Sequence, residues 1–444
     1  MSRRLLCCLS LTFALVVSPS LQASATTTEY RLENGLKLVV REDHRAPVVV
    51  TQVWYKVGSS YEPQGLTGLS HALEHMMFKG TQKVPDGEFA RIVAFYGGDN
   101  NAFTTDDYTA YYQVYTADKL ALAVELEADR MQNLVLKPEE FAKEIQVVME
   151  ERRMRTDDSP QALAMERFMA LTWLTSPARI PTVGWMSDLQ AMKVEDLRRW
   201  YETWYVPNNA TLVVAGDVKA DAVKKLAEQY FGNIPAKPVP PVRVPVELPE
   251  PGDRSMVLSL PGKVPSLYLA FNVPSIVTGK PGEAEALRML AGVMDEGMSA
   301  RLETRLVREQ RVAAAVGSGY EPFSRGDSLF MVRAVPAPGR SIDELEAALL
   351  KEIENLKTEE IAASDLKRVY AGFLSSDVFE RDSVQEQANS IGRLESVGLS
   401  WRTLDEWPKS LQKVDAEAVR AVARTYLIPS RRSVLRLLPT EMKP

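Results

Sequence analysis

With 444 residues, of which 45% are hydrophobic and 25% charged, the chain has enough apolar material for two or three packed domains and shows no low-complexity tract. A formal net charge of −6 without any basic run gives no electrostatic basis for binding nucleic acid or an anionic membrane. The only cysteines, Cys7 and Cys8, fall in the first segment, which removes disulfides, thiolate ligands and a cysteine nucleophile from the chemistry of the remainder.

That first segment reads as an export signal. Arg3 and Arg4 precede an apolar run over residues 5–17, followed by Pro19 and by Ala23-Ser24-Ala25, an A-x-A cleavage pattern. The run is shorter than the roughly 20 apolar residues that span a bilayer. Residues 1–25 are therefore expected to direct the chain to the periplasm and to be removed after Ala25. The paired arginines leave the twin-arginine route open beside the general secretory one. No later stretch is apolar enough to span a membrane, so no membrane attachment is expected after cleavage.

Strand-like and helix-like patterns then alternate. Residues 36–40 and 48–57 are rich in aliphatic and β-branched side chains and predict strands. Helices are predicted over 68–78 and 86–96, a strand over 108–115, and helices over 118–134 and 138–155, the last opened by Pro138. Residues 208–218 predict a buried strand closed by Gly216-Asp217. Seven prolines follow between residues 233 and 253, a density incompatible with helix or central strand and suited to an extended linker. Beyond it the same grammar restarts, with strands in 255–274, a helix over 282–294, a strand over 328–336 and helices over 341–356 and 363–375. The expected organisation is a first domain at 26–232, a linker at 233–253 and a second, related domain at 254–444.

The stretch "GLTGLSHALEHMMFKGT" (residues 65–81) holds two of the three histidines in the chain, His71 and His75, with Glu74 between them. On a helix the two imidazoles lie within about 40° of each other. Two readings compete: an amphipathic helix whose polar side carries two histidines, or a zinc site of the inverted H-x-x-E-H type with Glu74 as general base. Such a site needs a third ligand. In "PEEFAKEIQVVMEERRM" (residues 138–154), Phe141, Ile145 and Val148 mark the buried side of a helix; Glu144 and Glu151 lie close to it, and Glu150 points away. A carboxylate on an inner face is costly unless paired or metal-bound, which makes Glu144 and Glu151 the candidates. They stand about 10.5 Å apart by helix rise, so both cannot readily bind one ion. A salt-bridged pair at the helix margin is the plainer alternative.

At this point the chain resembles the pitrilysin-type zinc peptidases, which include insulin-degrading enzyme and mitochondrial processing peptidase. It is most similar to the short-chain bacterial branch, and the likeness covers essentially all of the chain after residue 25. "HALEH", with Glu151 placed 76 residues after His75 (151 − 75), carries it. The resemblance implies an α+β architecture of two related α/β-sandwich domains, each a mixed, largely antiparallel sheet covered by helices, together forming one half of a clamshell. It implies one zinc per chain held by His71, His75 and Glu151, with Glu74 as catalytic base and Glu144 as an assisting acid. In "GGDNNAFTTDDYTAYY" (residues 97–112), the resemblance places Asn101, Ala102 and Phe103 on a strand edge that pairs with an extended peptide. It further implies an Arg and a Tyr, seven residues apart in the second half, that bind substrate. Arg308 fits the first, but the tyrosine position falls on Ala314 or Ala315, and Tyr320 lies too far along.

The expected activity is that of a zinc endopeptidase that degrades or processes peptides in the periplasm. A homologous zinc-less partner chain would supply the missing pair and close the chamber; a homodimer is the alternative. Two other functions stay open: a non-catalytic scaffold or chaperone-like subunit, and a zinc-storage or sensing protein, which would not need Glu74.

Overall fold

A computed structural model describes residues 26–440. The expected export signal lies outside them. Two sheets organise the chain. The first contains β1 (Thr26–Arg31), β2 (Lys37–Glu42), β3 (Val48–Tyr55), β4 (Asp99–Thr104), β5 (Thr109–Thr116) and β6 (Ala210–Gly216), in the order β1-β2-β6-β3-β5-β4. The second contains β7 (Arg254–Pro261), β8 (Ser266–Val273), β9 (Ala313–Tyr320), β10 (Ser328–Pro336) and β11 (Arg432–Thr440), in the order β7-β11-β8-β10-β9.

The sheets repeat one topology. β2 runs parallel to β6 as β7 runs parallel to β11, and every other neighbouring pair is antiparallel. Removing β1 makes the two strand orders coincide, so the duplication expected from the order of elements is present in the fold. Both sheets are mixed and largely antiparallel with helices on their faces, the architecture anticipated above.

The central strands explain why sequence alternation is weak there. β3 is "VVVTQVWY" with seven of its eight residues buried, as both faces of its sheet are covered. One face packs on helices of the same half. Against the other face lies the Val384–Ser396 helix from the second half, whose Ala388 and Ile391 join Val39, Val50, Trp54 and Val213. The second sheet is covered reciprocally: helix α5 of the first half (Pro160–Thr172 in chain order, following α1–α4 below) sets Ala164 and Phe168 against Tyr268, Leu435 and Leu437. Each half thus lends the other a helix. The packing boundary does not coincide with the break in the sequence.

The exchange depends on one close approach. A Cβ at Gly392, in the Val384–Ser396 helix, would lie 2.0 Å from Cε2 of Trp54. Trp54 is fixed by its indole N–H bond to Gln52 at 2.8 Å, and Gln52 in turn donates to Asn389 of the same helix at 2.7 Å. Gly392→Val should therefore push the helix off the sheet and destabilise by about 1–3 kcal/mol or more. A lowered thermal unfolding midpoint checks this, and an unchanged midpoint would contradict the exchanged packing.

The proline-rich segment carries neither helix nor strand from residue 232 to 253, yet it is anchored. Glu247 within it is buried and accepts the backbone N–H groups of Leu174 and Thr175 at 2.7 and 3.1 Å.

Candidate metal centre

Two of the first four helices carry the site. α1 (Leu69–Met76) carries the histidines, α2 (Glu88–Phe95) and α3 (Leu120–Asn133) follow, and α4 (Pro138–Arg152) carries the glutamates. α1 is short and has no side-chain cap of its own, because Gly68 occupies the cap position at φ 87°. The buried Glu62 carboxylate supplies the missing acceptors, taking the N–H groups of Gly68 and Ser70 at 2.6 and 2.7 Å. A second anchor is Asp188, which accepts from the Thr67 hydroxyl at 2.7 Å. The first turn of α1 is thus pinned before His71.

α4 starts with Pro138 in its first turn, where the missing N–H costs nothing. It buries Phe141, Ile145 and Val148, and this orientation turns Glu144 and Glu151 inward to 12% and 17% side-chain exposure while Glu150 stays at 59%. After Arg152 the chain widens into a π-type turn over Arg153–Asp157.

His71, His75 and Glu151 converge so that one ligand atom from each lies within 4.8 Å of the others. The Nε2 of His75 stands 3.3 Å from a Glu151 oxygen, and that of His71 stands 3.8 Å from the other. Donors about 2.0–2.2 Å from a tetrahedral ion stand about 3.3–3.6 Å from one another, so the spacing suits zinc. Behind the donors, Glu144 sits 2.9 Å from Nδ1 of His75 and 2.6 Å from Lys79 Nζ, the carboxylate backing that fixes a ligand imidazole. Nδ1 of His71 is buried without a hydrogen-bond partner among the described residues. The residues present fit a zinc ion.

Electrostatics point the same way. Burial, with His75 and Arg155 adding to it, drives His71 down to about 3, leaving a neutral imidazole. At His75 burial pulls downward but is outweighed by Glu144, Glu151 and Glu74, and the net shift is upward. A proton on His75 therefore competes with a cation, and zinc affinity should fall as the pH drops through this raised value. Isothermal titration with zinc between pH 5 and 8 measures it (pH values chosen to bracket the usual histidine range of about 6.5); a pH-independent affinity would contradict it.

Glu74 lies beside the donors, buried, with Oε2 accepting the Thr104 hydroxyl at 2.5 Å. Burial raises its pKa, against the pull of the Thr104 bond and of His75. Thr104 closes β4, the outermost strand of the first sheet, so the Glu74 carboxylate is tied to a sheet edge. Asn101, Ala102 and Phe103 of β4 line the same cavity of about 490 Å³ as His71, Glu74, His75 and Glu151. The Ala102 N–H turns to its neighbour Asn101 Oδ1 at 2.9 Å.

Arg308 is not brought to this cavity. It sits half-exposed in a π-type turn over Glu303–Glu309, 3.3 Å from Glu303. Ala314 and Ala315 lie on β9, and Tyr320 is buried with its hydroxyl given to the Pro274 carbonyl at 2.7 Å. Sequence reasoning missed Glu62, Thr104 and Arg155, whose guanidinium stands 2.6 Å from Glu151. Only the polar loop before α1 and the threonine after Phe103 gave any sign of the first two.

An inverted histidine–glutamate helix facing a glutamate helix, under a mixed sheet with an open edge, defines the inverted-motif zinc-peptidase class. Residues 37–184 match the family described as "Insulinase (Peptidase family M16)", and residues 191–373 match "Peptidase M16 inactive domain". The zinc protease PqqE of Helicobacter pylori is 32% identical over 372 residues, covering 82% of this chain and 79% of that protein. The chain belongs to peptidase family M16. The crystal structure of a protease from Helicobacter pylori superposes with a TM-score of 0.86 at 28% identity, covering 94% of this chain and all of that one (100%). The periplasmic protease PqqL of Escherichia coli shares the fold with a TM-score of 0.80 at 17% identity, over 94% of this chain but 49% of that one.

Proposed function

We propose that this chain is a periplasmic zinc endopeptidase for extended peptides that works with a partner chain, the region 26–232 carrying the metal and 254–444 a related domain without one. The observation that carries the reading is the shared cavity: three convergent donors, a buried carboxylate beside them and a free strand edge, all in one cleft. His71, His75 and Glu151 would hold the zinc, which when bound polarises a scissile carbonyl and acidifies water.

The other steps belong to the chain's own groups. The backbone of Asn101–Phe103 pairs with the peptide and holds it straight across the cleft. Glu74 takes a proton from the attacking water and delivers it to the leaving amine. Thr104 fixes the orientation of Glu74, and Glu144 fixes that of His75.

Support for a partner comes from the lack of an arginine–tyrosine pair at the site among the described residues, and from a relative with the same fold that is about twice as long. A zinc-less homologue is the first choice for that partner and a second copy of this chain the alternative. Support for the periplasm comes from residues 1–25 and from that same relative, a periplasmic protease. Among the described residues no helix is long and apolar enough to cross a membrane, which is compatible with it. The non-catalytic reading draws on the match of residues 191–373 to an inactive domain, but a scaffold has no use for the donor set or Glu74. A quenched-peptide assay of the purified chain, alone and with a zinc-less homologue, tests the proposal. Cleavage is expected to rise with the partner; full activity of the lone monomer would refute the partner, and no cleavage by any combination would refute the peptidase.

A further inference from the structure

One buried arginine of the second half grips three other segments of the chain. Arg325 stands in the turn between β9 and β10 and is 8% exposed. Every nitrogen of its guanidinium is engaged. Nε donates to Asp107 Oδ1 at 3.1 Å, one terminal nitrogen to the Arg243 carbonyl of the proline-rich segment at 3.0 Å, and the other to the Ser60 hydroxyl at 2.8 Å. The Arg325 backbone N–H reaches the second Asp107 oxygen at 3.0 Å, and the guanidinium carbon lies over the Tyr61 ring, 4.2 Å from its centre.

Two of those segments support the metal site from behind. Ser60 and Tyr61 close a one-turn helix (Ser59–Tyr61) just before Glu62, the carboxylate that holds the first turn of α1. Asp107 sits in the turn from β4 to β5, shortly after Thr104, whose hydroxyl holds Glu74. The two loops are also stitched to each other. The N–H groups of Ser59 and Ser60 donate to the Thr105 and Asp106 carbonyls at 3.1 and 2.9 Å. A Cβ at Gly58 would lie 2.2 Å from the Thr105 oxygen, so the two backbones have no slack between them. Arg325 crosses this seam, with Ser60 on one side and Asp107 on the other. A planar fork with fixed donor directions suits such a bridge, and a lysine ammonium does not reproduce it.

The loops do not depend on it equally. α1 is pinned independently by Glu62 and Asp188 and packs in the core of its own half. β4 pairs with β5 alone, as the last strand of its sheet, so its end at Thr104 is the part that the clamp fixes. We infer that Arg325 is a positioning residue for the site in the other half: by holding the β4–β5 turn against the loop before α1, it sets where Thr104 and the Asn101–Phe103 edge stand relative to the metal donors. The inference rests on the peptidase reading of that cleft. It gives the second half of this same chain a part in the chemistry, through polar contacts that reach Asp107, Ser60 and Arg243 and none of the donors. A strand edge displaced by about 1 Å is enough to cost about 100-fold in rate.

Hydrogen–deuterium exchange and peptide kinetics on zinc-loaded, full-length protein test this, the kinetics with whichever partner gives the wild type its highest activity. Arg325→Ala is expected to speed exchange across residues 58–61 and 99–107, to lower kcat by about 10–100-fold and to leave zinc affinity unchanged. Arg325→Lys should fall between the two. Arg254→Ala is the comparison for general destabilisation. Arg254 also joins the halves, donating to the Leu171 and Thr172 carbonyls at 3.2 and 2.8 Å, but it bonds to neither loop. Its loss should lower the unfolding midpoint and leave kcat and exchange in those segments as they are. Should Arg325→Ala not fold, Asp107→Asn, which weakens the same bridge from the other side, decides in its place. Unaltered exchange, faster exchange with unaltered kcat, a zinc loss that accounts for the lost rate, or an equal fall of kcat in Arg254→Ala would overturn the inference. A wild-type protein that cleaves no peptide would sink the peptidase reading, while the exchange result would still show whether Arg325 sets the strand edge.

Discussion

Glu74→Gln is expected to lower kcat/KM for an extended peptide by about 10²–10⁴-fold while zinc stays bound, because it removes a proton acceptor and no metal donor. Glutamine keeps the shape of the carboxylate and accepts the Thr104 hydroxyl as Glu74 does, so the end of β4 should stay in place. The wild-type pH profile supplies an independent check. Glu74 must be ionised to accept a proton, and burial raises its pKa. Activity should therefore fall with decreasing pH at a value above the ordinary carboxylate range, and the variant should lose that limb. Equal activity of the two proteins would remove Glu74 from the chemistry.

Glu151→Gln should do what Glu74→Gln does not, and strip the metal. It deletes the one anionic donor among the three and leaves Arg155, now 2.6 Å from Glu151, facing an amide. Glu144→Gln is the internal comparison. Glu144 touches His75 but not the ion, so its loss should weaken zinc by about 10–100-fold, the effect of removing a group that orients a ligand. The loss at Glu151 should exceed that, with activity falling in step. Competition against a zinc-sensitive dye gives both affinities. Should the order reverse, with Glu144→Gln the more damaging, the third donor would be misassigned.

Helix periodicity made much of the candidate site legible in the sequence, while the choice of Glu151 over Glu144 rested on the resemblance. The i, i+4 spacing aligns His71 with His75, and the buried stripe of α4 turns Glu144 and Glu151 inward and leaves Glu150 outside, as observed. The repeat of the two halves was also readable, since hydrophobic patterning restarts after the prolines. Other features were not. β4 carries "DNNAFT", polar enough to pass for a turn, because an edge strand lining a cleft has no apolar face to show, and only the resemblance placed it on a strand edge. The reciprocal loan of α5 and the Val384–Ser396 helix is a matter of tertiary packing, and nothing local in either helix names the sheet that receives it. Glu62 reads as one acid in a loop until its carboxylate is seen holding the first turn of α1.

Diffraction from crystals of the zinc-loaded chain, recorded across the zinc absorption edge, puts the central reading to its shortest trial. A single anomalous peak about 2.0–2.2 Å from nitrogens of His71 and His75 and an oxygen of Glu151 is the predicted result. A peak elsewhere, or none from protein shown to be zinc-saturated, would contradict it.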